Sequence, residues 1–107
     1  MTKNQTNKTP SATKSAQKVL IVLDLLLSNF AHGFTNAELS KATGFSPSNI
    51  THYIGALENQ GFAERIQETG RIRASHRLAQ RAVAIMNSLD TAKNQVDESI
   101  KRISTTL

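Results

Sequence analysis

Ser48, His52, Gly55 and Asn59 recur at threes and fours, with Asn49 and Tyr53 beside them. At about 100° per residue of helix they share one side and its flank. They are hydrogen-bonding, mostly uncharged groups, with one glycine that lets another surface come close. Such a side can exchange hydrogen bonds with base edges in a groove of DNA, while charge for the phosphates comes from elsewhere. An ordinary solvated helix face would carry similar residue types. Other chemistries find less support. Paired carboxylates, a nucleophile beside a base and a glycine-rich phosphate loop are missing. The chain has no cysteine, and His32, His52 and His76 lack ligand spacing. Neither an enzyme, a metal site nor a cofactor is expected.

The elements that must position that side are marked by caps. Thr35 stands three residues ahead of Glu38, the spacing of a capping box. Ala37, Leu39 and Ala42 supply one apolar edge, and Gly44 stands where a short helix should stop. Ser46-Pro47 then starts a second helix, serine as N-cap and proline at the first helical position. Ile50, Ile54 and Leu57 form its buried side, and Gly61 closes it. The spacing predicts two short helices joined by a tight turn, a helix-turn-helix.

The flanks add charge and a hairpin. The 107-residue chain carries a net charge of +5. Residues 1–18 hold four lysines and no acid. Residues 61–82 hold Arg65, Arg71, Arg73, Arg77 and Arg81 against Glu64 and Glu68. Basicity that flanks a helix pair suits a polyanion. Phe62 to Gln67 reads as a strand, Glu68-Thr69-Gly70 as a turn, and Arg71 to Ala74 as a return strand. Ile72 and Ala74 face the core. Arg71 and Arg73 face the other way, with Arg71 at the tip, where it can reach phosphate or a minor groove. A hairpin in this position is a wing.

Ser15 to Asn29 reads as a helix, apolar nearly all round from Val19 to Leu27. One small core cannot cover it all. Its surplus face, with Leu20, Leu23 and Leu27, therefore suggests a second copy of the chain. Phe30 to Phe34 is a connection bent at Gly33. Ser75 caps a last helix running to about Ser104. There Leu78, Ala82, Ile85, Leu89, Ala92, Val96, Ile100 and Ile103 recur at threes and fours. That helix either pairs with a second copy, through Ile85, Leu89, Val96 and Ile103 among others, or folds back over the first helix. Residues 1–14 read as a flexible basic arm, either a solubilising tail or a backbone-following one. Residues 15–74 read as the winged helix-turn-helix and 75–107 as the long helix. The fold class expected is mostly α with a small β-hairpin.

The run from Ser15 to about Ala84 resembles the N-terminal DNA-binding domain of the IclR family of bacterial transcription regulators. The resemblance lies in the apolar first helix, in Thr35-Asn36-Ala37-Glu38-Leu39-Ser40-Lys41-Ala42-Thr43-Gly44-Phe45-Ser46-Pro47-Ser48, in Leu57-Glu58-Asn59-Gln60-Gly61-Phe62 and in Glu68-Thr69-Gly70-Arg71-Ile72-Arg73. It implies a winged helix-turn-helix that binds operators as a dimer, pairing through the first helix. It puts Ser46, Ser48, Asn49, His52 and Tyr53 on the recognition helix, where the family commonly has arginine in place of Tyr53. It puts Thr35 and Asn36 at a phosphate, where a helix N-terminus favours anions, and Arg71 and Arg73 on the wing. The family's C-terminal effector domain has no counterpart here, so no small-molecule effector is inferred.

The expectation is a homodimeric, sequence-specific regulator of transcription that binds double-stranded DNA. A protein-binding adaptor and a structural DNA-binding assembly or partition protein are the alternatives. No stretch is apolar enough to span a bilayer and no signal peptide is evident. A cytoplasmic, nucleoid-associated protein is expected.

Overall fold

A computed structural model describes residues 11–105, with side chains from residue 14. They form α1 (Ser11–Ser28), α2 (Asn36–Thr43), α3 (Pro47–Asn59), β1 (Ala63–Arg65), β2 (Ile72–Ala74) and α4 (His76–Thr105). The chain is mostly α with one antiparallel hairpin, a winged helix-turn-helix followed by a long helix. The described residues fall into two compact units that divide between Ser75 and His76.

In the first unit α1 begins at Ser11 rather than at Ser15. The expected arm, 1–14, is corrected at its end, and residues 1–10 lie outside the described residues. Ala12, Lys14, Ala16 and Gln17 are good helix formers, so a polar composition alone did not mark a tail. Val22 and Leu26, one turn apart, are fully buried, whereas Leu20, Ile21 and Leu27 remain at least half exposed. Ser28 ends the helix with its hydroxyl donating to the Leu25 carbonyl at 2.6 Å.

The helix pair is built by the caps. Thr35 Oγ1 accepts from the Glu38 N–H at 3.0 Å, and Glu38 Oε1 accepts from the Thr35 N–H at 3.0 Å. On α2 only Leu39 is buried; Ala37 and Ala42 are exposed, so the apolar edge is narrower than expected. Gly44 takes φ 79° and donates to the Ser40 carbonyl. The turn to α3 is tied by the Ser40 hydroxyl donating to the Phe45 carbonyl at 2.6 Å. Ser46 accepts from the Asn49 N–H, Pro47 opens α3, and Ile50, Ile54 and Leu57 are buried. These join Val22, Leu26, Leu39, Ala63, Ile72 and Ala74 in the core.

The wing is shorter than its sequence suggests. The register pairs Ala63 with Ala74, Glu64 with Arg73 and Arg65 with Ile72. On its other edge Ile72 bridges Phe34, each N–H donating to the other's carbonyl at 2.7 Å. The connection after α1 is thus tied to the free edge of β2 at this one bridge. Gly33 makes this possible. It has φ 74°, and a Cβ there would sit 2.5 Å from the Ile72 carbonyl oxygen, so neither the conformation nor the space admits a side chain.

Among the described residues the second unit consists of α4, none of whose residues is buried. Val83, Ile85, Met86, Leu89, Val96, Ile100 and Ile103 are all exposed. Among the described residues no helix is long and apolar enough to cross a membrane, and no group of three or more His, Cys, Asp or Glu residues could hold a metal ion.

Candidate nucleic-acid interface

The burial of Ile50, Ile54 and Leu57 fixes which way α3 faces. Ser48, His52 and Asn59 are exposed on the far side, Asn49 is exposed on its flank, and Ser46 is exposed at the N-cap. The Ser46 hydroxyl is committed to the cap, 3.2 Å from the Asn49 N–H, and lies 3.4 Å from the Ser48 hydroxyl. Among the described residues Ser48, Asn49 and His52 stay exposed, which leaves donors and acceptors in a row along one helix.

Two different neighbours border that row. On one flank Thr51 meets α2, with Asn36 Nδ2 3.5 Å from Thr51 Oγ1. Thr35 and Asn36 are half-buried here. Because the Thr35 side chain is occupied as a cap, what this end of α2 offers an anion is its first-turn amides and dipole. On the other flank Tyr53 packs edge-on against Phe45, ring centroids 5.8 Å apart at 83°. Lys18 of α1 lies over the same Phe45 ring, 5.5 Å from its centroid. Reading the sequence missed this stack. A phenylalanine after a C-capping glycine was visible, but its partner on α1 is a long-range contact with no local signal.

The wing arginines do not stand free. Arg71 folds back beside the α1–α2 connection. Its Nε donates to the His32 carbonyl at 3.2 Å, and its Nη2 donates to the Gly33 carbonyl at 3.1 Å and to Glu38 Oε1 at 2.6 Å. Arg73 donates from Nε to Glu64 Oε2 at 2.9 Å and lies over the Phe30 ring. Their side chains are 18% and 23% exposed. The expectation that Arg71 projects from the wing tip is therefore corrected. Alternation put both arginines on the side away from Ile72 and Ala74, as observed, but residues 30–34 cover that side. The turn itself, Ile66 to Gly70, is closed by the Ile66 N–H donating to the Arg71 carbonyl and the Gly70 N–H to the Ile66 carbonyl.

Glu38 collects these interactions. The Thr35 amide holds its carboxyl below the usual carboxylate range; desolvation opposes this, and the Arg71 guanidinium lowers it further. An ionised acid at the end of α2 would repel a phosphate; Arg71 beside it offsets that charge. Of the expected pairing residues, Leu20 and Leu27 on α1 and Ile85, Leu89, Val96 and Ile103 on α4 are exposed, and Leu23 is half-buried.

Comparison with known proteins agrees with this fold. The IclR helix-turn-helix domain matches residues 15–67. Among solved structures, the crystal structure of Pseudomonas aeruginosa HmgR shares the fold over 75% of this chain, with a TM-score of 0.62 and 22% identity. The chain spans about a third of that protein, 32% of its length. No curated protein matches. Residues 15–67 thus belong to the IclR helix-turn-helix domains, a class of DNA-binding domain carried by transcription regulators.

Proposed function

We propose that the chain is a sequence-specific regulator of transcription that binds double-stranded DNA as a homodimer, working in the cytoplasm on the nucleoid. The observation that carries this reading is the uncovered outer side of α3. With α3 in the major groove, Ser48, Asn49 and His52 meet base edges, and Ser46 and Tyr53 lie towards the groove walls. Thr35 and Asn36 bring the N-terminus of α2 to a phosphate. The wing lies along the flank, and Arg71 and Arg73 hold its shape.

A second copy of the chain covers the exposed apolar faces. Leu20, Leu23 and Leu27 of α1 contribute. So does the α4 seam from Leu78 through Ala82, Ile85, Leu89, Ala92 and Val96 to Ile103, whose fours and threes are the rhythm of paired helices. Selection of bound sites from a random duplex pool, with the mass of the free protein measured in parallel, tests the proposal. The expected result is a dimer and an inverted repeat with half-sites about 34 Å apart. A monomer, or a pool with no enriched sequence, would count against it.

A further inference from the structure

We propose that Lys18, with Lys14 one helical turn before it, grips the DNA backbone on the side of α3 opposite α2. The inference rests on the reading of α3 as the groove-entering helix and adds the second of the two walls that such a helix needs. A helix in the major groove runs between two phosphate ridges. At about 100° per residue, Thr51 and Tyr53 lie on opposite flanks of His52. The Thr51 flank borders α2 through Asn36. The Tyr53 flank borders Phe45, and Phe45 carries the Lys18 ammonium above its ring. Anion-attracting groups therefore stand on both borders of the same helix.

The chemistry of the two lysines supports this role. Both are exposed, and neither makes a hydrogen bond or ion pair among the described residues. A cation over an aromatic face is held in place electrostatically, while its ammonium hydrogens stay available to an oxygen anion. The first turn of α1 contains no acid, and Asp24 is the first acid anywhere in the chain. Lys14 thus sits near the positive end of a helix dipole with no carboxylate to compensate it. That placement is unfavourable for the isolated helix and favourable beside a polyanion. The wing arginines, in contrast, already spend their donors on Glu38, Glu64 and backbone carbonyls.

The test is fluorescence anisotropy of a labelled mixed-sequence duplex titrated with the full chain over a series of salt concentrations. Wild type is compared with Lys18→Gln, Lys14→Gln and, as a control of equal charge loss, Lys101→Gln on α4. Each contacting lysine removed should soften the slope of log K against log salt by about 0.9, with Lys101→Gln leaving the slope unchanged. Circular dichroism verifies that each variant stays folded. If wild type binds but Lys18→Gln keeps the wild-type slope, or Lys101→Gln softens it equally, the lysine grip is wrong and the role of α3 stands. If wild type binds no duplex even at low salt, both fall.

Discussion

Arg71 Nη2 lies 2.6 Å from Glu38 Oε1, and the same oxygen accepts the Thr35 N–H at 3.0 Å. The two side chains are 33 residues apart in the chain. Arg71 also donates to the carbonyls of His32 and Gly33. One guanidinium thus ties the wing to the connection after α1 and to the N-terminus of α2. Its planar fork suits several acceptors at once.

Arg71→Ala should therefore lower stability by about 1–3 kcal/mol, because the part-buried Gly33 carbonyl and the Glu38 carboxylate lose their donor. Arg71→Lys should recover little of the loss, since an ammonium on a flexible stem cannot reproduce the fork. Urea denaturation measures both. A freely projecting, DNA-contacting arginine would give variants of wild-type stability.

The Glu38 carboxyl is held below its ordinary range by the Thr35 amide and Arg71, so its contribution to stability has a defined pH dependence. A depressed native value means that the unfolded chain binds the proton more readily. The contribution is fully present above the ordinary glutamate value and fades as pH falls from there through the lowered native value. The stability gap between wild type and Glu38→Gln should close over that acid window. A gap that stays constant on acidification would show that ionised Glu38 has no favourable native partner.

Gly33 and Gly70 both have positive φ, but a Cβ meets the Ile72 carbonyl only at Gly33 and open space at Gly70. Gly70→Ala should cost about 1–2 kcal/mol from conformation alone. Gly33→Ala should cost more, because Phe34 would have to part from Ile72 to make room. Thermal unfolding of the pair checks the order, and equal losses would remove the close approach from the account.

For pairing, Leu89→Asp should place a charge in the middle of the α4 seam and Leu20→Asp one in the α1 face. Sedimentation equilibrium should show each variant shifted towards monomer relative to wild type. If both keep the wild-type mass, neither face holds the second copy.

What was legible in the sequence was local. Thr35 with Glu38, Gly44, and Ser46 with Pro47 mark helix ends within a single turn of chain, so the helix pair and its outward side could be drawn from spacing alone. The alternation of Arg71, Ile72, Arg73 and Ala74 assigned sides correctly for the same reason. What covers a side is decided by residues far along the chain. The carbonyl that Arg71 Nε finds at His32 is 39 residues away, and residues 30–34 carried no strand pattern to announce the bridge to Ile72. Lys18 above Phe45 escaped notice likewise, because the contact joins two elements far apart in the chain.

The most direct test of the central claim is a map of backbone amide shifts when an isotope-labelled chain is titrated with its selected duplex. The account predicts that the largest changes fall on Ser48, Asn49 and His52 of α3, with smaller ones at Thr35 and Asn36. Changes confined to α4, with those residues of α3 unmoved, would contradict it.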